Sequence, residues 1–386
     1  MHVFQPDGSS SIKGFNGEQL LTSAVMSVTD ANPKKVAFIA GYNGSSIYSP
    51  YVTYAISSFY SMMEKNGYEI NMIDIFSDEL NPEDYDIVVL PAPVSDISED
   101  CIKKLEDFLY NGGSLDKDMI YIADVYQYRT PNIDEFLEVW GIEIGDGWVY
   151  ETDESLTQNA QIVVGGKTLQ MPSAIASIAD EKYSESLSNT KLPIVAPRAR
   201  SINLLFDANV DRTTSALLKT SDSTCLYPIT MMDAPEKDEN LIEFGTDANQ
   251  ETTEAETEAS TEAPTEFDPD SAEKGSHVVM ALASKTSMDE NNQQHINNVL
   301  VIGGSAITDS MIVSSDLYNN AEFVINSVNQ MCGKENGIII AEKNVSVDYM
   351  DIKASQARVI NRVIMFVIPL SVCVAGVIVF IRRRNR

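Results

Sequence analysis

The chain has 386 residues, 44% of them hydrophobic, enough for one large domain or two ordinary ones around a real core. Its 27 basic and 57 acidic side chains give a net charge of -30. Such a surface repels phosphate and does not lie flat on anionic lipid, which argues against nucleic acid as a partner. Cys101, Cys225, Cys332 and Cys373 show neither zinc-site nor CxxC spacing, and His2, His277 and His295 are too few for a histidine-based metal centre. No metal or cofactor is expected.

Residues 1–35 are read as a lead-in, with a helix expected over 14–29 (GFNGEQLLTSAVMSVT). They hold no charged-then-apolar signal sequence. Residues 36–146 carry the first part of an α/β domain. Strands are expected at 35–40 (KVAFIA), 69–75, 85–90 (YDIVVL) and 119–125 (MIYIADV). Helices are expected at 51–65, at 98–110 with Ser98 as cap, and at 132–139. Residues 147–248 are rich in Thr, Ser and Val, alternate near period two and flank glycine turns, so they are read as a β-rich insertion of hairpins. Residues 249–274, a Thr/Glu-rich acidic tract with almost no large apolar side chain, are expected to be a disordered loop. Over 275–345 the strand and helix signals return, at 277–284, 298–303 (NVLVIG) and 320–331. These late strands are expected to rejoin the first sheet; pairing with the hairpins instead would give two contiguous domains.

Apolar strands alternating with amphipathic helices predict a parallel sheet covered on both faces, with right-handed crossovers. Ligands in such sheets bind beyond the carboxyl ends of the strands. That rule makes Gly41, Asn43, Ser45, Asp74, Ser95, Asp124 and Ser305 the candidate ligand-binding residues. The 41–46 segment, GYNGSS, lacks the third glycine of GxGxxG and the GK[ST] ending of a P-loop, and reads as a strand–helix turn. Gly303-Gly304-Ser305 sits where a nucleophile elbow would, but it is not GxSxG. Its plainer reading is a loop or helix start with Ser305 or Thr308 as cap. Asp74, Asp124 and Asp309 lie near strand ends without a D-x-D-x-D loop, so turn or cap roles are expected rather than a cation site. Trp140 and Trp148 are expected to cover the sheet edge. No catalytic residue is assigned.

A helix at 359–381 contains nineteen uncharged residues, 363–381 (VIMFVIPLSVCVAGVIVFI), against the roughly 20 needed to span a bilayer core. Pro369 is tolerated in membrane helices. The basic tail 382–386 has Arg382, Arg383, Arg384 and Arg386 against the diluted Lys343, Lys353, Arg358 and Arg362 upstream, a density that favours the C-terminus in the cytoplasm and the domain outside. An exported domain needs an upstream signal, so either a second, N-terminal helix precedes Met1 or the domain is cytosolic; the upstream helix is the expectation.

Several stretches taken in order resemble one family. They are GEQLLTSAVMSVTDANPKKVAFIAGYNG, NPEDYDIVVLPAPVSDISEDCIKKLEDFLYNGGSL, TPNIDEFLEVWGIEIGDGWVYE, NVLVIGGSAITDSMI and NNAEFVINSVNQMCGKENGI, closed by the ASQARVI–helix–RRR tail. Together they are similar to the auxiliary component of uncharacterised bacterial ABC transport systems associated with gliding motility. The resemblance implies a membrane protein partnered with permease and ATPase subunits, its soluble domain outside the cytoplasm, often with helices at both ends. It also implies a flavodoxin-like or class I glutamine amidotransferase-like sheet. Amidotransferases use a cysteine after a strand with a histidine partner; here Val94 and Ser95 offer none, and Cys101 falls in the following helix. The expectation is therefore a non-catalytic, membrane-anchored auxiliary subunit. The alternatives are a membrane-tethered hydrolase or amidotransferase-like enzyme, which would need Ser305 or a strand-end carboxylate cluster to meet a histidine, and a structural cell-envelope scaffold.

Overall fold

The computed structural model describes residues 2–4, 10–12, 14–15, 32–185, 187–229, 267–334 and 343–344. The expected anchor at 359–381 and the tail at 382–386 lie outside the described residues; among those described, no helix is long and apolar enough to cross a membrane. The chain divides into two units. In one, formed by Met1–Phe15 and Lys343–Arg386, strand His2–Phe4 pairs antiparallel with Ser10–Ile12, and Gly14–Phe15 with Lys343–Asn344. The start of the helix expected over 14–29 is therefore extended, because its first two residues close a ladder with a distant segment; 16–29 lie outside the described residues.

The larger unit, Asn16–Glu342, is a mixed α/β body around one large, partly parallel sheet. Its first half runs β1 (Lys35–Tyr42), α1 (Thr53–Lys65), β2 (Glu69–Asp74), β3 (Ile87–Pro91), α2 (Glu99–Tyr110), β4 (Asp118–Ile122) and α3 (Pro131–Val139). Then come the antiparallel strands β5 (Ile142–Glu151), β6 (Thr157–Val164), β7 (Lys167–Ile178), β8 (Ile194–Ala196), β9 (Arg200–Leu204), β10 (Arg212–Lys219) and β11 (Thr224–Pro228). The chain returns through β12 (Val278–Met288), β13 (Gln294–Ile302) and α4 (Asn320–Met331).

Five strands are parallel, in the spatial order β2-β1-β3-β4-β13. This is the 2-1-3-4-5 order of one class of doubly wound sheets, with its switch point between β1 and β3. β13 pairs antiparallel with β12, and β12 with both β10 and β9, so hairpins and parallel strands make one continuous sheet.

The layering follows from side-chain alternation. Val36 and Phe38 of β1 point to the face covered by α1 and α4, with Ile56, Phe59, Phe323 and Val328. Ala37 and Ile39 point to the face covered by α2 and α3, with Leu105, Phe108, Ile133 and Leu137. Every residue of β3 and β4 is buried, as a strand covered on both faces requires. Local chemistry sets the helix limits. Ser98 Oγ accepts the Cys101 N–H, Glu99 and Asp100 sit in the first turn of α2, and Asn111 ends it in the left-handed conformation, φ 46°. The α3 N-terminus is capped from a distance: the Asn132 and Ile133 N–H groups donate to the Asp96 carboxylate at 2.9 and 3.2 Å.

The tract expected to be disordered over 249–274 is folded over its last residues, 267–274. Phe267, the one aromatic in that tract, packs on Tyr227 with ring centroids 4.6 Å apart, and Tyr227 stacks on Trp148 at 5.1 Å. The rest of the tract, 249–266, lies outside the described residues.

Candidate functional site

At the switch point, where a doubly wound sheet usually holds its ligand, the chain fills the crevice with its own backbone. Ile47 N–H donates to Ala40 O at 3.1 Å, Val94 N–H to Ile47 O at 2.7 Å and Tyr128 N–H to Val94 O at 2.7 Å. Tyr48 bridges to Pro93. Loops from three strand ends are zipped together, with Ile47 buried among them. Ser95, next to Val94 of this zipper, is half-buried.

Gly41, Asn43, Ser45 and Asp74 come together in one loop. Asn43 and Gly44 both have positive φ, 52° and 77°, and the strand pairs Tyr42↔Ser45 and Gly41↔Ser46 flank them. GYNGSS is therefore a two-residue Asn-Gly hairpin rather than a strand–helix turn. Asp74 organises it. Its carboxylate accepts the N–H groups of Gly44 (2.7 Å), Phe76 (2.9 Å), Asn43 (3.1 Å) and Ser77 (3.3 Å). Desolvation works against ionisation here, but the four N–H donors prevail and hold the carboxyl below its ordinary range. A Cβ on Gly41 would stand 3.0 Å from Asp74 Oδ2, so only glycine lets the carboxylate approach. Asp74 spends its lone pairs on the backbone, a turn role.

Asp124 and Ser305 meet at the ends of β4 and β13. Ser305 Oγ donates to Asp124 Oδ2 at 2.5 Å, and Tyr126 N–H donates to Oδ1 at 3.0 Å. Both side chains are buried. Burial pushes the Asp124 carboxyl up, opposed by Ser305, the Tyr126 N–H and the Arg198 charge. Gln127 locks the loop: its Oε1 accepts Asp124 N–H at 2.6 Å, and its Nε2 donates to Pro93 O at 2.9 Å and to Tyr121 Oη at 3.1 Å.

The 198–200 segment supplies what sequence reasoning missed. Arg200 N–H donates to Gly303 O at 2.7 Å. A Cβ on Gly303 would meet Arg200 O at 2.4 Å and Val279 O at 2.9 Å; on Gly304 it would meet Ala199 Cα at 3.0 Å. The two glycines serve close backbone approach, and that approach carries two cations to the strand ends. Arg198, at φ 50°, stacks on Tyr126 at 4.8 Å and donates to its Oη at 2.7 Å, while Tyr126 stacks on Tyr51 at 5.0 Å. Arg200, 3% exposed, donates through Nε to Gly145 O at 3.0 Å and lies 3.7 Å from Asp146.

Tyr51, Tyr126, Asp124, Arg198, Ser305 and Asp309 line a cleft roofed by β6. It encloses about 20 Å³, room for about one water molecule. Asp309 faces it while accepting Val163 N–H at 3.0 Å and Met311 N–H at 2.9 Å. Desolvation raises its carboxyl, offset in part by those two donors. No histidine is in this lining, and Ser305 Oγ is bound to a carboxylate. Asp74 lies apart from Asp124 and Asp309, in a shallow depression with Gly41, Gly44 and Ser45. Trp140 and Trp148 are separate too: Trp140 is buried under α3, and Trp148 belongs to the aromatic cluster on β5 and β11.

The sheet order, the zipped switch point and the paired arginines accompany a clear sequence relationship. The family model for the ABC-type uncharacterized transport system matches residues 33–327. The chain belongs to this family. That makes it an auxiliary component of an ABC-type transport system. No curated protein matches this transport-family chain. Among solved structures, the mmIFT52 N-terminal domain is similar at 12% identity and TM-score 0.41, over 79% of this chain and 100% of that one. A ThuA-like protein from Bacteroides uniformis is similar at 13% identity and TM-score 0.31, over 50% of this chain and 70% of that one. A GMP synthase component from Thermoplasma acidophilum is similar at 8% identity and TM-score 0.26, over 52% of this chain and 80% of that one.

Proposed function

We propose that this transport-system component is a non-catalytic, membrane-anchored auxiliary subunit of a complex with permease and ATPase subunits, its α/β domain working outside the cytoplasm in protein or ligand binding. The observation that carries the non-catalytic part is at the end of β3. Ala92 stands there in the left-handed conformation, φ 44°, and is 2% exposed. A strained strand-to-helix turn is where a nucleophile elbow presents its reactive side chain. The residue here is a methyl group under the surface. The other candidate, Ser305, is 2% exposed and donates a hydrogen bond to Asp124, which supports the same reading. Anchoring rests on the uncharged 363–381 run and the arginines after it. The flavodoxin-like reading of the sheet draws support from its strand order, and the gliding-motility association rests on the sequence resemblance.

The test is purification of the full-length chain from native membranes in mild detergent. A permease and an ATPase subunit should co-purify, and protease added to intact cells should cut the acidic tract. Recovery of the chain without either subunit overturns the transport-complex reading. Protection of the tract in intact cells, with cleavage after lysis, overturns the topology.

A further inference from the structure

At the opposite end of the sheet, α2, α3 and strands β10, β12 and β13 wall a cavity of about 190 Å³. The register aligns its polar side. Arg212 lies opposite Lys285, and Lys285 opposite Asn297, in one row across three strands. Leu109, Phe136 and Trp140 provide the apolar side. Asn297 is already used, its Oδ1 accepting Lys117 N–H and its Nδ2 donating to Leu109 O, so it positions the wall.

The two cations are differently placed. Both lean on one carboxylate, Asp211, at long range: Arg212 Nη1 at 3.5 Å and Lys285 Nζ at 3.7 Å. Arg212 Nε is buried without an acceptor, and its guanidinium carbon lies 5.8 Å from the Trp140 ring centroid. An under-satisfied guanidinium gains a partner, rather than exchanging one, when an acceptor enters. Planar carboxylates match its donor geometry. Glu106 is the one acid in the lining and disfavours ligands carrying more than one negative charge.

We propose that this cavity binds a small aromatic monocarboxylate, its ring against Phe136 and Trp140 and its carboxylate toward Arg212 and Lys285. The size fits: a cavity of about 150 Å³ takes benzene, and the volume here leaves room for one ring and its acid group. This site is independent of the strand-end cleft and of the docking role.

The test is a fluorescence titration of the full-length chain in nanodiscs. The chain has two tryptophans, so Trp148→Phe makes Trp140 the sole reporter. Benzoate should give a saturable change below about 10 mM. Arg212→Gln should weaken it about tenfold, as loss of a charge-assisted pair does. Acetate, lacking the ring, and benzyl alcohol, lacking the charge, should each bind more weakly than benzoate. If Arg212→Gln does not fold by circular dichroism, Lys285→Gln is read in its place. The proposal is overturned by an absence of saturation with benzoate, by equal binding of benzyl alcohol, or by an affinity unchanged in the folded charge variant.

Discussion

Ser305 Oγ donates to Asp124 Oδ2 at 2.5 Å, joining residues 181 positions apart at the ends of two adjacent parallel strands. The bond gives a buried carboxyl a hydroxyl donor beside the backbone N–H groups of Tyr126 and Ser305. It ties the returning part of the chain to the first half of the sheet.

Ser305→Ala is expected to lower stability by about 1–3 kcal/mol, since it leaves a buried acceptor without its hydroxyl donor. Urea denaturation of the variant against the natural chain measures this. The same hydroxyl should stay unlabelled by a fluorophosphonate probe, because it is buried and no imidazole lines its cleft. Labelling that disappears in Ser305→Ala would revive a serine-hydrolase reading.

Gly303→Ala is expected to be worse than Ser305→Ala, at roughly 3 kcal/mol or more. The added methyl would meet two backbone carbonyl oxygens, Arg200 O and Val279 O, neither of which is a flexible side-chain end. The 198–200 segment would have to lift, taking Arg198 off Tyr126. Denaturation should show the loss, and proteolysis should find a new cut near the displaced segment.

This pair of glycines shows where the sequence was legible and where it was not. Helices α1, α2 and α4 could be read because one apolar face repeats along each and local residues such as Ser98 and Asn111 mark the ends of α2. Strands β1, β3 and β4 could be read as short apolar runs buried on both faces. Asp124 and Ser305 were reachable through the strand-end rule, and that rule did bring them together. The zipper at the switch point was not legible, because nothing local says that Ile47, Val94 and Tyr128 will be joined there. Arg198 and Arg200 were missed because their place depends on a backbone crossing; its one trace is the missing side chains at Gly303 and Gly304. The Asn43-Gly44 hairpin was available from the dipeptide alone, but the helix expected just after it suggested a different turn.

Ala92→Gly should escape the usual loss. In a helix interior, as at Ala55, glycine for alanine loses about 1 kcal/mol. At Ala92 the left-handed φ of 44° strains any residue with a Cβ by roughly 1–2 kcal/mol. Glycine relieves this, while its greater unfolded-chain freedom takes back about half and the loss of the buried methyl about 0.8 kcal/mol more. The variant should therefore stay within about 1 kcal/mol of the natural chain, well above Ala55→Gly, which loses a buried methyl with no strain to relieve. Thermal melts of Ala92→Gly beside Ala55→Gly decide the point; equal losses at both would mean that the turn stores no strain.

Asp118 should make stability fall as pH rises through the weakly acidic range. Burial is the dominant influence on its carboxyl and pushes it from 3.8 to about 7, although the Asn298 side-chain amide and backbone N–H both donate to Oδ1 at 2.9 Å and oppose the shift. The folded chain then holds this proton at pH values where the unfolded chain has lost it. Between about pH 4 and pH 7 the folded state binds more protons, so unfolding becomes easier with each step upward; below and above that window the contribution is flat. The full span is at most about 4 kcal/mol. Asp118→Asn keeps an oxygen to accept from Asn298 and has no proton to lose. It should match the natural chain near about pH 4 and exceed it in stability by a few kcal/mol near about pH 7.5. Urea midpoints of both chains across that range measure the difference directly, and parallel curves would mean that Asp118 ionises in the folded protein as easily as in water.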